Sequence, residues 1–275
     1  MEWDWPIHPG LAGLVERFVG YSYVLDPASV HHASPGPVAT VIVCFQAPLD
    51  IAWPTEPGSR TSQWCLASGL HTRPALIRTH GGQHGIQLGL TPLGCRVLLG
   101  TPLAELAHAL AGHADLPHGI PEALHDELAG EPSWPRRLAR LERHLLAAAR
   151  ASRADVADDL ARGWAMLGQR GGRVRTAELA RELGWSRRNL LTRFRAEFGL
   201  PPSELARIHR LGTAMGLARA GGRWAQVAAD AGYADQAHLI REFVAMAGQT
   251  PTQWRADAFP VVQDADGPRP SRSSS

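Results

Sequence analysis

The last third of the chain carries apolar residues at helical spacing. Between Ala154 and Arg255, stretches in which apolar positions recur every three to four residues alternate with short breaks that contain Gly or Pro. This segment has no run with the alternation or the β-branched composition of a strand. The pattern predicts an all-helical domain over residues 153–256.

The first 150 residues show a different pattern. Pro and Gly are frequent between residues 30 and 100, and short β-branched or alternating runs, such as residues 38–45 and 85–90, are typical of strands. The two patterns together predict an α+β protein of two domains, with a β-rich domain over residues 1–150. Residues 257–275 are polar and end in serines, so we expect them to form a flexible tail.

Two helices are expected at the end of the β-rich domain. Thr101 and Pro102 have the features of an N-cap followed by a first-turn proline, and the apolar spacing continues from there to Leu110. A second helix over residues 133–150 has one leucine face, with its arginines pointing elsewhere. We expect this helix to pack against the strands or against a partner subunit.

Charge separates the two predicted domains. The chain has a net charge of +2, but residues 1–152 carry −3 and residues 153–256 carry +6. The sign changes near Ser152 and Asp155, whose spacing is also typical of the cap of a new helix. Because contacts with phosphates depend on where positive charge lies, the helical domain is the better candidate for a nucleic-acid partner.

An internal repeat covers most of the helical domain. Five positions return 48 residues later, so that Leu179, Ala180, Leu183, Gly184 and Trp185 correspond to Val227, Ala228, Ala231, Gly232 and Tyr233. After one extra residue the offset becomes 49, so that Leu190, Phe194, Gly199, Pro202 and Ser203 correspond to Leu239, Phe243, Gly248, Pro251 and Thr252. The domain therefore contains two copies of one unit.

Each copy has the pattern of a helix-turn-helix unit. A short helix ends at a glycine, a tight turn follows, and a second helix opens at a capping residue, Ser186 in the first copy and Asp235 in the second. A Leu and a Phe four residues apart anchor the inner face of each second helix, which leaves the opposite face free to enter a DNA major groove. Residues 203–219 predict a connecting helix of about 25 Å, which suits successive grooves about 34 Å apart.

The side chains expected on the two free faces can contact phosphates and base edges. Arginine can bind guanine, and asparagine can bind adenine, through two hydrogen bonds each. The candidates in the first copy, beyond its cap, are Arg187, Arg188, Asn189, Thr192, Arg193 and Arg195. The corresponding candidates in the second copy are Gln236, His238 and Arg241.

The second copy resembles the AraC/XylS family of regulators. The resemblance lies in Ala228, Gly232, Tyr233, Asp235, Gln236, His238, Leu239, Arg241 and Phe243, followed by Gly248, Thr250, Pro251, Trp254 and Arg255. It implies a transcription factor whose two recognition helices bind double-stranded promoter DNA, often as a homodimer or beside RNA polymerase. By position, the resemblance assigns base contacts to Arg188, Leu191, Thr192, Gln236, Ala237, His238 and Arg241.

The β-rich domain resembles the cupin-like sensor domains attached to some regulators of this family. The similar segments are residues 69–74, 85–88 and 90–94. The resemblance implies a regulatory domain that responds to a small-molecule effector. Trp53 and Trp64 are candidates to line an effector pocket.

The main alternative is a metal-dependent, cupin-type enzyme with a helical appendage. His71, His80 and His84 are close enough in sequence to suggest a metal site. However, the pair of histidines separated by one residue that enzymatic cupins use is absent, and so are nucleophile-elbow, phosphate-loop and dinucleotide motifs. We therefore expect a regulator without catalytic activity, metal or cofactor.

The cysteines and the apolar runs bear on where the protein works. Cys44, Cys65 and Cys95 lie more than 20 residues apart, which matches neither a disulfide framework nor a zinc site, so we interpret them as buried thiols. The chain opens without the features of a secretion signal, and no apolar run approaches about 18 residues. We expect a cytoplasmic protein that does not contact a membrane.

Overall fold

The computed structural model describes residues 1–256, in which a sheet-rich N-terminal region precedes a helical C-terminal region. This arrangement confirms the predicted α+β class. The tail predicted over residues 257–275 lies outside the described residues. The predicted division of the chain into two domains near residues 151–152 stays a prediction; the structure has a non-helical segment at residues 152–157.

The N-terminal region contains two antiparallel sheets. Their strands are β1 (Glu2–Asp4), β2 (Val15–Val24), β3 (Val30–Ala33), β4 (Ala39–Cys44), β5 (Leu49–Ala52), β6 (Thr61–Gln63), β7 (Cys65–Ser68), β8 (Ala75–Arg78), β9 (Gly82–Leu90) and β10 (Leu110–Gly112). The larger sheet has the order β1-β2-β9-β4-β7-β10, and the smaller has the order β3-β8-β5-β6. The strands predicted at residues 38–45 and 85–90 are found as β4 and part of β9.

The larger sheet is buried on both faces. In β4, Val41 and Val43 belong to the core that the sheet shares with the helices, whereas Ile42 and Cys44 belong to the core between the two sheets. Side chains of a strand alternate between its faces, so a strand covered on both sides needs a continuous apolar run. The two sheets enclose an apolar layer, as they do in sandwiches of the cupin type.

Four helices complete the N-terminal region. They are α1 (Pro92–Gly94), which continues as a π-helical turn (Cys95–Leu99), α2 (Leu103–Leu106), α3 (Glu122–Gly130) and α4 (Trp134–Ala151). The second of the two helices predicted after the strands is found as α4, and Leu138, Leu141 and Leu145 are buried as expected.

The helix predicted from Thr101 to Leu110 is wrong in its extent and in its cap. α2 ends at Leu106, and Leu110 lies in β10, where it pairs with Ser68 of β7. Thr101 does not cap the helix, because its hydroxyl group is bonded to Oε2 of Glu105 at 2.8 Å. At Leu110, backbone hydrogen bonds to the edge of the larger sheet replace the helical ones, so only the first part of the predicted apolar face, Leu103 and Leu106, lies in a helix.

Arg137 corrects the expectation that the arginines of α4 all lie away from its buried face. Its side chain is buried and donates hydrogen bonds to the backbone oxygens of Leu128 and Glu131, and its NH1 lies 2.6 Å from Nε2 of His84. The guanidinium carbon also lies 4.6 Å from the ring centres of both Phe45 and Trp134. Oxygens and aromatic faces replace the water that a buried cation loses.

The described part of the C-terminal region is all-helical, as predicted. Its helices are α5 (Asp158–Gln169), α6 (Thr176–Glu182), α7 (Arg187–Phe198), α8 (Pro202–Arg219), α9 (Trp224–Asp230), α10 (Gln236–Ala247) and α11 (Pro251–Ala256). The cap predicted at Ser152 and Asp155 is wrong, because α5 begins only at Asp158. Ser152 and Asp155 instead accept hydrogen bonds from the backbone of Ala154 and Val156, within the segment before the helix.

The predicted burial of the cysteines holds for two of them. Cys44 and Cys95 are buried, Cys65 is half-buried, and all three are free thiols. Burial raises the pKa of each thiol to about 12, which keeps it protonated and unreactive at neutral pH. Separately, no helix within residues 1–256 combines the length and apolar character that crossing a membrane requires.

One buried and two half-buried histidines are expected to make the fold sensitive to acid. Nδ1 of His113 accepts a hydrogen bond from the backbone of Ile120 at 2.8 Å, and burial lowers the pKa of this histidine to about 4. Burial also lowers the pKa values of His71 and His209 to about 4. In each case the folded pKa lies below the unfolded value of about 6.5.

We predict that the free energy of unfolding falls as the pH is lowered from about 6.5 toward 4. The unfolded chain binds protons in this range that the folded chain excludes, at up to about 1.4 kcal/mol per pH unit for each histidine. Urea unfolding at several pH values measures the slope of the free energy of unfolding against pH. His113→Asn should make the slope shallower, whereas His118→Gln, at an exposed position, should leave it unchanged. Equal slopes for the wild type and His113→Asn would contradict the assignment.

Candidate nucleic-acid interface

The helix-turn-helix pattern is built twice in the structure. α6 and α7 form the first unit, and α9 and α10 form the second. The inner anchors Leu190 and Phe194 of α7 and Leu239 and Phe243 of α10 are fully buried. Each unit therefore holds its second helix against the core by one face and leaves the opposite face open.

Glycines and caps define the turn of each unit, as the sequence predicts. Gly184 and Gly232 follow the first helices with φ of 68° and 83°, in the left-handed region that favours glycine. Ser186 caps α7 by accepting a hydrogen bond from the backbone of Asn189 at 3.2 Å. Asp235 caps α10 in the same way, from the backbone of His238 at 2.6 Å. These bonds fix the direction in which each second helix starts.

The open face of α7 is polar and positive. Its first two turns and its last turn place five of the predicted candidates in solvent, namely Arg187, Arg188, Asn189, Thr192 and Arg195, and Leu191 is half-buried beside them. Arg193 points elsewhere. Its guanidinium donates to Asp159 of α5 at 2.8 Å and lies 4.1 Å from the ring centre of Trp185. Arg193 therefore fastens α7 to α5 and is not on the open face.

The open face of α10 is different in character. Gln236, Ala237 and Arg241 are exposed, whereas His238 is half-buried with its ring edge-on to Tyr233 at 5.4 Å. Val244, which the sequence analysis did not single out, is also on this face with 41% of its surface exposed. The signal that could have found it is the repeat itself, because Val244 lies 49 residues after Arg195.

The linker helix α8 is fastened to the second unit. Nε of Arg207 donates to Glu242 of α10 at 2.7 Å, and NH2 of Arg210 lies 3.6 Å from the other oxygen of the same carboxylate. α8 also packs against α5, α7 and α9. The two units are therefore held at a separation that the 18 residues of α8 define.

The C-terminal ends of both recognition helices contact the N-terminal region. Gly199 and Gly248 end α7 and α10 with φ of 78° and 72°. A Cβ atom at Gly199 would lie 2.2 Å from Ala107, and one at Gly248 would lie 2.6 Å from His32 and 2.8 Å from Pro74. We call this contact surface of the N-terminal region (His32, Pro74, Ala104 and Ala107) the docking patch.

Backbone hydrogen bonds make the docking patch one surface. Two backbone hydrogen bonds join the segment before Pro74 to the end of α2. The amide of Gly69 donates to the oxygen of Leu106, and the amide of His108 donates to the oxygen of Leu70. β3, which contains His32, pairs with β8 directly after Pro74. The two recognition helices therefore end on the same part of the N-terminal region.

An ion pair reinforces the contact at α7. Arg96 donates two hydrogen bonds to the two oxygens of Glu197, at 2.8 Å and 2.7 Å, and Glu197 is buried. These bonds raise the pKa of the Arg96 guanidinium. A two-pronged arginine–carboxylate pair fixes orientation as well as distance.

The structure does not bring the candidate metal ligands together. Nδ1 of His71 is bonded to the backbone oxygen of Arg73, Nε2 of His80 lies 3.4 Å from Asp50, and His84 lies against Arg137. Among the described residues, no group of three His, Cys, Asp or Glu side chains could hold a metal ion.

The two tryptophans considered for an effector pocket also lie in different surroundings. Trp53 is buried against His71 and Arg73, whereas Trp64 is 43% exposed and packs against His125. A small, solvent-open cleft lies at one end of the two sheets. Neither tryptophan lines it; its lining is Tyr21, Cys44, Ala47, Pro48, Leu49, Arg78, His80, Gly82, Gln83 and His84.

Comparison with known proteins agrees with this geometry. Residues 179–257 match a family of helix-turn-helix domains. No curated protein matches the chain by sequence. Two tandem helix-turn-helix units with open recognition faces define a DNA-binding transcription regulator. Its helix-turn-helix domain is of the AraC type.

Solved structures of ToxT from Vibrio cholerae share the fold of most of the chain. One is 12% identical, covers 87% of this chain and 98% of ToxT, and has a TM-score of 0.54. A second contains an unsaturated fatty acid and is 13% identical over 91% of this chain and 98% of ToxT, with a TM-score of 0.54. A third is bound to (E)-4-(8-methylnaphthalen-1-yl)but-3-enoic acid. It is 12% identical, covers 87% of this chain and 98% of ToxT, and has a TM-score of 0.53.

Proposed function

We propose that α7 and α10 enter successive major grooves of promoter DNA and that the N-terminal region controls this binding through the docking patch. The observation that carries the proposal is the equivalence of the two helices. Both are capped at the start, both expose one face, and both end on the same patch. Both helices have a side-chain cap at the end that opens them, and the first turns of a recognition helix supply most of its contacts with base edges.

The first unit has the side chains that read bases through hydrogen bonds. Arg188 and Asn189 are exposed in the first turn of α7, where they can reach guanine and adenine, and Thr192 follows one turn later. Arg187 and Arg195 lie on the same open face, where an arginine can reach a phosphate or a base edge. In the second unit, Gln236 and Arg241 lie at the positions equivalent to Arg187 and Thr192. The caps Ser186 and Asp235 position the helices and leave base contact to their neighbours.

The N-terminal region is the regulatory part of this proposal. It contacts both recognition helices at their ends, so a change in the patch reaches both. Two of the ToxT structures named above contain a carboxylic acid, and we propose that a small-molecule effector acts on the N-terminal region of this chain. A second copy of the chain and RNA polymerase are further partners that the resemblance to this type of regulator predicts.

The proposal assigns no catalytic step to the protein. The three histidines that a cupin-type enzyme would need are held by different partners, as described above. DNA binding needs only side chains that the structure exposes. Metal-free protein that binds promoter DNA with sequence preference would exclude the enzyme alternative as the main function.

We predict that Arg188→Ala and Arg241→Ala change sequence preference at separate positions of the binding site. Losing a base-reading arginine should cost about tenfold or more at the base pair that it contacts and little elsewhere. Selection of bound duplexes from a random pool, at several salt concentrations, measures the change. Arg136→Ala, which removes an exposed arginine from α4, is the control for net charge.

The salt dependence separates the two kinds of contact. A different result would be that both variants weaken binding to all duplexes equally and reduce only the dependence of the binding constant on salt concentration. In that case, Arg188 and Arg241 would contact phosphates alone. The assignment of base reading to these arginines would then be wrong. Absence of any selected sequence for the wild type would overturn the proposed function itself.

We predict that breaking the Arg96–Glu197 pair weakens both the fold and DNA binding. Arg96→Ala leaves the buried carboxylate without its partner, which should lower the free energy of unfolding by about 1.5–3 kcal/mol. It should also lower DNA affinity by about fivefold, because DNA must then order a helix that the docking patch no longer orients. Urea unfolding and a binding titration with the selected duplex measure the two effects.

A matched variant distinguishes docking from general destabilisation. Arg60→Ala removes a similar two-pronged pair, that of Arg60 with Asp50, far along the chain from the recognition helices. It should affect stability but leave DNA affinity unchanged. Unaltered DNA affinity in Arg96→Ala would show that the docking patch does not control the recognition helices.

A further inference from the structure

The two recognition helices present different chemistry at equivalent positions. The offset of 49 residues pairs Arg187, Arg188, Thr192, Arg195 and Ala196 of α7 with Gln236, Ala237, Arg241, Val244 and Ala245 of α10. All ten side chains are exposed. The face of α7 thus offers three arginines, whereas the face of α10 offers one arginine and three small apolar side chains.

Val244 is unusual among the exposed residues. Of the large apolar side chains of the described residues, it is one of five with substantial exposure, and it is the one in the C-terminal region. It lies three residues after Arg241 and seven after Ala237, so these three side chains form one stripe along α10. The stripe lies at the positions of α10 that are equivalent to Arg188 and Arg195 of α7. In the proposed function, this apolar surface faces the same DNA as the open face of α7.

The chemistry of the groove identifies what this stripe can contact. Alanine and valine have no group that forms a hydrogen bond with a base edge. In the major groove, the apolar feature of a base edge is the C5-methyl group of thymine. Short side chains also let the helix approach the groove floor closely. The net charge of +6 over residues 153–256 favours DNA over an apolar protein surface as the occupant.

We propose that α10 reads thymine methyl groups through Ala237 and Val244, while α7 supplies most of the charged and hydrogen-bonding contacts. This inference rests on the proposed function, since it assumes that α10 lies in a major groove. It assigns thymine to at least one position of the second half-site. The half-site that α7 contacts, here the first half-site, should then contribute most of the salt dependence of DNA binding, and the half-site that α10 contacts is the second.

The test replaces thymine by deoxyuridine in the second half-site. The two bases form the same hydrogen bonds and differ only in the C5-methyl group, so the exchange removes one apolar contact. For the full chain, we expect the exchange at the contacted position to weaken binding by about threefold to fivefold, the effect of one buried methyl group. Binding titrations on the selected duplex and its deoxyuridine versions measure the change.

Val244→Ala supplies the second half of the test. In this variant, the exchange at the position that Val244 contacts should cost less than about 1.5-fold, because the side chain no longer reaches the methyl group. Alanine favours helix more than valine does, so the variant should fold. Val24→Ala, at a valine that is 93% exposed at the end of β2, is the matched control and should keep the full sensitivity to deoxyuridine.

Each other outcome contradicts the inference. A selected second half-site without thymine, or equal sensitivity of the wild type and Val244→Ala to the exchange, would overturn it while leaving the regulator function intact. Loss of binding to a protein partner in Val244→Ala, with DNA affinity unchanged, would assign the apolar stripe to that partner instead. Failure of the wild type to select any sequence would instead overturn the proposed function on which the inference rests.

Discussion

Two glycines in the left-handed region allow both recognition helices to end against the sheet-rich region. At Gly199 and Gly248 the backbone itself touches Ala107 and His32, at distances that leave no space for a Cβ atom. The same residues end the helices, because a left-handed residue accommodates the last turn. Helix termination and docking are thus one constraint. The relative placement of the two DNA-binding units depends on it and on the linker helix between them.

The two copies of the repeat have kept their cores and changed their attachments. The Leu and Phe anchors, the caps and the terminal glycines are equivalent in both. The ion pairs are not: Glu197 corresponds to Met246, and Glu242 corresponds to Arg193. Ion pairs therefore attach the first unit to the N-terminal region and to α5, and the second unit to α8. Divergence at these positions gave each unit its own neighbours without altering how it folds.

The sequence alone was sufficient to predict the two helix-turn-helix units and insufficient to predict the partners of two arginines. Spacing and glycines predicted both units and their caps, because those interactions join residues within one turn of each other. Arg193 and Arg137 could not be assigned, since their partners Asp159 and His84 are 34 and 53 residues away. The segment after Thr101 shows the same limit: its apolar spacing suits a helix, but pairing with β7 decides its structure.

The rigidity of α8 has a consequence for promoters. An α-helix of 18 residues that is bonded to Glu242 cannot lengthen, so in the proposed function α7 and α10 meet DNA at a constant interval. One extra base pair between the half-sites would rotate the second by about 34° and move it by about 3.4 Å. Sequence variants with such insertions would offer only one half-site at a time. The length of this helix therefore restricts which stretches of a genome the protein can occupy.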